Sequence, residues 1–153
     1  MYDNILIPTD GSDTATVAVD HAVDLAERYD ARLHALYVVD IDAVNFSLGT
    51  EQVDRIKQGN FGEMSEVKEK ADEATGIVVD AAAPHDVTVH EEVRVGSPHD
   101  VIAGYAENND IDLVVMGSHG RSGVRRALLG SVTERVLRST HIPVMVVDEH
   151  GDE

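Results

Sequence analysis

The sequence contains no cysteine and only three lysines. Without cysteine, the chain can form no disulfide and offers no thiol for catalysis or metal binding. It also lacks the roughly 18 consecutive apolar residues that a membrane-spanning helix needs. Its first residues lack the basic and apolar regions of a signal peptide. These absences predict a cytoplasmic protein with no membrane partner.

The scarcity of lysine belongs to a strong charge imbalance. The chain of 153 residues carries 29 Asp and Glu against 12 Lys and Arg, a formal net charge of −17. Such a surface repels nucleic acids and anionic membranes, so neither is an expected partner. Molar salt would screen the repulsion within about 3 Å. We expect an adaptation to high salt. The alternative interpretation is an acidic protein that works at ordinary salt concentrations.

One segment is free of acidic residues. Residues 113–133 contain no Asp or Glu and carry Arg121, Arg125 and Arg126. The apolar run at 113–116 predicts a buried strand, and glycines follow it. A glycine-rich turn between a strand and a helix lets backbone N–H groups converge on an anion at the helix N-terminus. The segment therefore predicts an anion site, with phosphate as the expected anion.

The glycine spacing in this segment narrows the kind of site. The segment contains Gly117, Gly120 and Gly130, and Ser131 comes directly after Gly130. This spacing fits neither G-x-x-x-x-G-K-[ST] nor G-x-G-x-x-G. The G-x-S-x-G motif of lipases is also absent. The spacing G-x2-G-x9-G-[ST] resembles the nucleotide-binding signature of the universal stress protein family, in its ATP-binding branch. Residues 4–10 (NILIPTD) also resemble that family's first strand and loop, and the resemblance covers essentially the whole chain.

The resemblance implies an adenine-nucleotide site made from both motifs. Asp10 is expected beside the ribose and the metal-bound phosphates, with Mg²⁺ or Mn²⁺ arriving together with ATP. Backbone groups at Val38 are expected to contact the base edge, and Arg121 to neutralise phosphate charge. The residues implied in nucleotide binding are Pro8, Thr9, Asp10, Val38, Met116, Gly117, His119, Gly120, Arg121, Gly130, Ser131, Val132 and Thr133.

Three of these residues have alternative interpretations. Asp10, judged on position alone, is an ordinary turn or cap residue. Ser131-Val-Thr-Glu134 has the form of a capping box, so the Ser131 hydroxyl either caps the following helix or turns to the phosphate. His119 either donates to a phosphate or is simply exposed, and the histidines show no zinc-binding spacing.

Strands and helices alternate along the chain, which predicts right-handed crossovers and an α/β fold with a parallel sheet covered by helices on both faces. We predict a first strand that starts at Asn4 and ends in Pro8-Thr9-Asp10, and further strands at 32–40, 87–95, 112–116 and 143–147. The first helix is expected to begin near Ser12 or Asp13, and the others lie at 63–82, 98–108 and 132–139. The expected arrangement is one domain, residues 1–153, with an open five-stranded sheet in the order 3-2-1-4-5. It is Rossmann-like, of the adenine-nucleotide α-hydrolase-like type. Ligands bind such sheets where the strand order reverses, which would bring Asp10 and Gly117 together.

Helical spacing also predicts which residues face the core. The first helix is expected to bury Ala15, Ala18, Val19, Ala22, Ala26 and Tyr29, and the second Met64, Val67, Ala71, Ala74, Val78 and Ala82. Residues 41–62 interrupt the alternation, either as a lid or partner-contact segment or as a plain loop.

The expected function is a nucleotide-dependent stress-response or signalling module. No carboxylate lies between Asp112 and Glu134, which leaves Asp10 as the placed candidate for a general base; no catalytic residue is assigned. The alternative is a slow ATP-hydrolysing or nucleotidyl-transfer enzyme of the wider adenine-nucleotide α/β group. Strand 143–147, apolar and at the sheet edge, predicts a homodimer.

Overall fold

The computed structural model describes residues 2–11, 13–40, 65–118 and 130–148. Strands and helices alternate along these residues, as the sequence predicts. The strands are β1 (Asn4–Pro8), β2 (Arg32–Asp40), β3 (Val89–Gly96), β4 (Leu113–Gly117) and β5 (Val144–Val147). The helices are α1 (Asp13–Tyr29), α2 (Ser65–Ala82), α3 (Pro98–Asn108) and α4 (Ser131–Ser139), with a 3₁₀ turn at Ala83–His85.

The five strands form one parallel sheet in the order β3-β2-β1-β4-β5, which confirms the predicted topology. The order reverses at β1, because the chain leaves toward β2 and β3 on one side and returns to β4 and β5 on the other. Asn4 pairs with Arg32 of β2, and Ile5 pairs with Leu113 of β4. The carboxyl ends of β1 and β4 therefore meet at the reversal, where open sheets of this kind bind ligands.

Each face of the sheet has its own core because successive strand residues point to opposite faces. Ile5 and Ile7 of β1 pack with α1 and α2, whereas Leu6 packs with α3 and α4. Both faces of the central strand are thus covered, as in doubly wound proteins. No helix in the described part of the chain has the length and apolar character required to span a bilayer.

Most residues of the predicted helix faces are buried, but Val67 of α2 is only half-buried. Ala18, Ala22 and Ala26 of α1 are buried, but Tyr29 is 45% exposed, so its predicted place in the core is wrong. Tyr29 is the last residue of α1, beyond the part that the sheet covers, and its ring stacks edge-on against Tyr2 at 5.1 Å. Met64 and the segment 41–62 lie outside the described residues.

Candidate functional site

The first wall of the site is the turn that follows β1. Thr9 is buried, and its backbone N–H donates to the carbonyl of Leu36 on β2 at 2.9 Å. Its hydroxyl accepts the N–H of Gly11 at 3.2 Å, and Gly11 has a φ of 79°, which favours glycine. This short turn encloses Asp10 and leaves that residue half-buried. Asp10 therefore occupies a fixed position just beyond the carboxyl end of β1.

The second wall is the end of β4. Continuing the register of Ile5 with Leu113 places Thr9 level with Gly117, so the turn after β1 and the end of β4 lie side by side. Gly117 is buried and pairs with Val147 of β5. The structure thus brings the Asp10 turn next to Gly117, as the sequence predicts.

The third component is the start of α4. Gly130 is its N-cap residue, with φ −65° and ψ 155°, and no side chain caps the helix there. The first backbone N–H groups of any helix lack an intrahelical acceptor and carry the positive end of its dipole. Because Gly130 has no side chain, nothing of its own covers these groups. Together with Gly117, this end of α4 can hold an anion.

The predicted capping box at Ser131 is wrong. Ser131 is the first helical residue and is exposed, and the N-cap position belongs to Gly130. A capping box would also need Glu134 to accept the N-cap N–H. With Gly130 at the N-cap, the third helical position is Thr133, so Glu134 lies one residue too far along the chain for a capping box. A Glu134 carboxylate oxygen lies 3.5 Å from Arg138 instead.

Two residues predicted to bind nucleotide have side chains that make contacts within the protein. Thr133 is 3% exposed, and its hydroxyl donates to the Gly117 carbonyl at 2.9 Å. Met116 is 5% exposed and packs in the core between the sheet, α3 and α4. Val132 is half-buried against the same core, and Val38, also half-buried, lies opposite Arg94 in the β2–β3 pairing.

The sequence analysis missed the structural role of Ser118, which joins the end of β4 to β5 and to the start of α4. It is 4% exposed; its carbonyl accepts from Gly130 and its N–H donates to Val147 at 2.9 Å. The signal was its position directly after Gly117, at the end of a buried strand. His119, Gly120 and Arg121, also predicted for the site, lie outside the described residues.

The donor chemistry of this edge fits a nucleotide-borne metal better than a resident one. No group of three His, Asp or Glu side chains suited to a metal occurs within the described ranges. Mg²⁺ is commonly held by one or two carboxylates together with substrate phosphates and water. A single carboxylate at Asp10, beside a helix N-terminus, matches that second arrangement.

An open parallel sheet whose strand order reverses at its centre, with helices on both faces, defines a doubly wound α/β protein. The sequence model of the universal stress protein family matches residues 1–148. The chain therefore belongs to the universal stress protein family, as its glycine spacing indicated.

The similarity to known relatives covers nearly the whole chain. The universal stress protein MJ0531 of Methanocaldococcus jannaschii is 40% identical, covering 100% of this chain and 86% of its own. The solved structure of MJ0577 superposes with a TM-score of 0.76 at 28% identity, covering 99% of both chains. A universal stress protein solved in complex with cAMP has a TM-score of 0.63 at 26% identity, over 96% of this chain and 97% of its own.

Proposed function

We propose that this protein binds ATP, with Mg²⁺ or Mn²⁺, at the edge formed by the Asp10 turn, Gly117 and the start of α4. The observation that carries the proposal is the contact between Gly130 N–H and the Ser118 carbonyl at 2.7 Å. It sets a glycine-capped helix N-terminus against the end of β4, at the point where the strand order reverses. The related protein solved with cAMP supports an adenine nucleotide as the ligand class.

The proposed contacts follow the geometry of the three components. The phosphates would lie against the N–H groups of Ser131 and Val132, where the helix dipole is positive. Asp10 would hold the metal ion, which screens the phosphates from the acidic chain. Pro8 and Thr9 would flank the ribose through the backbone turn.

The base would lie over the carboxyl end of β2. Backbone groups at Val38 would contact its edge, and Met116 would lie beneath it as part of the apolar floor. His119, Gly120 and Arg121 are proposed to complete the phosphate contacts. The nucleotide would act as a bound signal in a stress-response module. A cytoplasmic location is a prediction from the sequence.

The binding experiment is thermal unfolding at fixed salt with and without Mg-ATP. A ligand that binds only the native state at 100-fold its Kd adds about 2.7 kcal/mol. For a chain of this size, that corresponds to a Tm rise of about 5–10 °C. A leucine side chain in Gly130→Leu would occupy the space that the phosphate needs, so we expect this variant to lose the Tm rise.

A second glycine supplies the control for that substitution. Gly76 lies within α2, and a Cβ added there meets no atom within 4 Å. Gly76→Ala should therefore keep the full Mg-ATP response. A wild-type Tm that does not move with Mg-ATP would contradict the proposed function.

Slow ATP hydrolysis is the second candidate function. The half-buried Asp10 carboxylate, at the end of β1, is the observation in its favour, because a base near the phosphates is required for an attacking water. Phosphate release measured over hours separates the two functions. Release abolished in Asp10→Asn would favour the enzyme, whereas nucleotide recovered intact would favour the binding module.

A further inference from the structure

Thr133 is oriented toward the sheet rather than toward solvent. It is the third residue of α4 and is 3% exposed, and Val136, on the same helical face, is fully buried. Its hydroxyl donates to the carbonyl of Gly117 at 2.9 Å, across 16 residues of sequence. The side chain thus joins the first turn of the helix to the last residue of β4.

A second bond ties the same two elements. The Gly130 N–H donates to the Ser118 carbonyl at 2.7 Å, and the Ser118 N–H donates to the Val147 carbonyl at 2.9 Å. The first turn of α4 is therefore held at its beginning by the backbone and at its third residue by a hydroxyl. Each bond restrains the first turn relative to the end of β4, and the loss of one leaves this turn more freedom to shift. The backbone N–H groups of that turn move with it.

A threonine hydroxyl carries one hydrogen. While that hydrogen bonds the Gly117 carbonyl, it is not available to a phosphate oxygen. We propose that Thr133 is a positioning residue, which holds the start of α4 against β4 so that the helix N–H groups face the phosphates. It would not contact the nucleotide through its hydroxyl. This inference rests on the proposed nucleotide site and refines the part that Thr133 has in it.

Thr133→Val tests the role because it removes the hydroxyl and nearly keeps the shape. The phosphates depend on the helix N–H groups, and the adenosine part does not. We expect the affinity for Mg-ATP, measured by calorimetric titration, to fall about tenfold, the equivalent of one hydrogen bond. The affinity for adenosine should stay unchanged, so the ratio of the two affinities falls. Thr133→Ser, which restores the hydroxyl, should restore the ratio.

Thr75 provides a matched control. It is another buried threonine, 2% exposed, and its hydroxyl contacts the carbonyl of Ala71 at 3.0 Å and a carboxylate oxygen of Glu91 at 2.8 Å, on the α2 face of the sheet. Thr75→Val should lower Tm without changing the affinity ratio, because it removes a buried hydroxyl away from the nucleotide edge.

The outcomes distinguish a failure of the positioning role from a failure of the proposed nucleotide site. If wild type binds neither Mg-ATP nor adenosine, the nucleotide site is wrong, and the inference fails with it. If wild type binds Mg-ATP and Thr133→Val keeps the same affinity ratio, the positioning role alone is wrong. A crystal structure of the wild type with Mg-ATP tests the role without any variant. There we expect the Thr133 hydroxyl on the Gly117 carbonyl, and a hydroxyl turned to a phosphate oxygen overturns the inference.

Discussion

Asp10 is enclosed by a turn whose hydrogen bond joins the residues on either side of it, from the Gly11 N–H to the Thr9 hydroxyl. The helix that follows begins at Asp13, so Asp10 lies before the residue that would cap it. The cap interpretation and the ligand interpretation predict different losses when the carboxylate is removed.

We expect Asp10→Ala to weaken Mg-ATP binding about tenfold or more and to change the free energy of unfolding by less than the roughly 1 kcal/mol of a lost cap. Calorimetric titration and thermal unfolding measure the two quantities. Asp20→Ala, at an exposed residue of α1, removes an equal charge and should leave binding unchanged. Unchanged affinity with a lowered Tm in Asp10→Ala would favour the cap interpretation.

His34 is a buried histidine that the sequence analysis did not single out. It is 8% exposed, and its two ring nitrogens lie 2.8 Å from the Tyr105 hydroxyl and 3.1 Å from the Asn4 side-chain oxygen. Because an amide oxygen accepts only, Nε2 carries the hydrogen and Nδ1 accepts from Tyr105. Burial raises the pKa of Tyr105, which keeps its hydroxyl available as a donor. The network fits a neutral His34.

Burial lowers the pKa of His34, and the neighbouring His90 and Arg32 lower it further, while Glu92 opposes them. The unfolded chain then binds a proton at about pH 6.5, where the folded chain does not. Stability from His34 is therefore complete above about pH 6.5. It is lost as the pH falls toward the lower folded pKa, with a slope of at most about 1.4 kcal/mol per pH unit.

We expect His34→Gln to flatten the dependence of unfolding free energy on pH between about 7 and 5, relative to wild type. Urea unfolding at a series of pH values measures it. His141→Gln, at an exposed histidine after α4, is the control and should keep the wild-type profile. Parallel profiles for wild type and His34→Gln would show that His34 does not cause the dependence.

At the scale of elements, the parallel sheet followed from the alternation of strands and helices, because parallel neighbours need crossover connections. The strand order agrees with the fold that the family resemblance implied. The bounds of the strands agree with the prediction within two residues. The start of α4 did not follow, because the helix begins one residue earlier than the S-x-x-E pattern suggested, with Gly130 at the N-cap. The place of Tyr29 depended on how far α1 extends past the sheet, which helical spacing alone does not give.

The candidate site, too, could be predicted from the sequence only in part. The pairing of β1 with β4 brings the Asp10 turn and Gly117 together, as the glycine spacing and the strand order implied. The use of the Thr133 hydroxyl could not be read from the sequence, since its acceptor, Gly117, lies 16 residues away. Local patterns predict where a ligand edge lies, whereas tertiary bonds decide which side chains remain available to the ligand.

Among the described residues, strand β5 lies at the edge of the sheet and pairs with β4. Val144, Met145 and Val146 are half-buried, and the strand carries no charge that would discourage pairing. A twofold axis would let β5 pair with its copy in a second chain. The homodimer stays a prediction from the sequence, with this edge strand as its proposed interface. A monomer kept apart by the acidic residues 148–153 is the alternative.

We expect wild type to scatter light as a particle of about 33 kDa, twice the 16.6 kDa of one chain. Val146→Lys should reduce this mass to 16.6 kDa, because it places a charge on the edge. Salt is held fixed and high. Thr88→Lys, at an exposed residue before the opposite edge strand, adds the same charge and should stay dimeric. Wild type that is monomeric throughout the micromolar range would refute the dimer.

At the scale of the whole molecule, aspartates occupy even backbone positions with positive φ, where glycine or asparagine is more common. Asp30, Asp86 and Asp110 have φ of 54°, 57° and 55°, the left-handed conformation that helix ends commonly give to glycine or asparagine. A carboxylate there also lies near the negative end of a helix dipole. The exposed ion pairs Arg28–Asp24 and Lys68–Asp72 are of a kind that contributes little.

A fold that carries a net charge of −17 repels itself most in dilute buffer. The Debye length falls from about 30 Å at 0.01 M salt to about 3 Å at 1 M, so the repulsion between most surface carboxylates is removed at molar KCl. We therefore expect Tm to rise by more than about 5 °C between dilute buffer and molar KCl, a gain of one to two kcal/mol for a chain of this size. Sucrose at equal osmolality is the control, because it strengthens folding without screening charge. A Tm that responds equally to KCl and sucrose, or to neither, would favour an acidic protein of ordinary salt over a salt-adapted one.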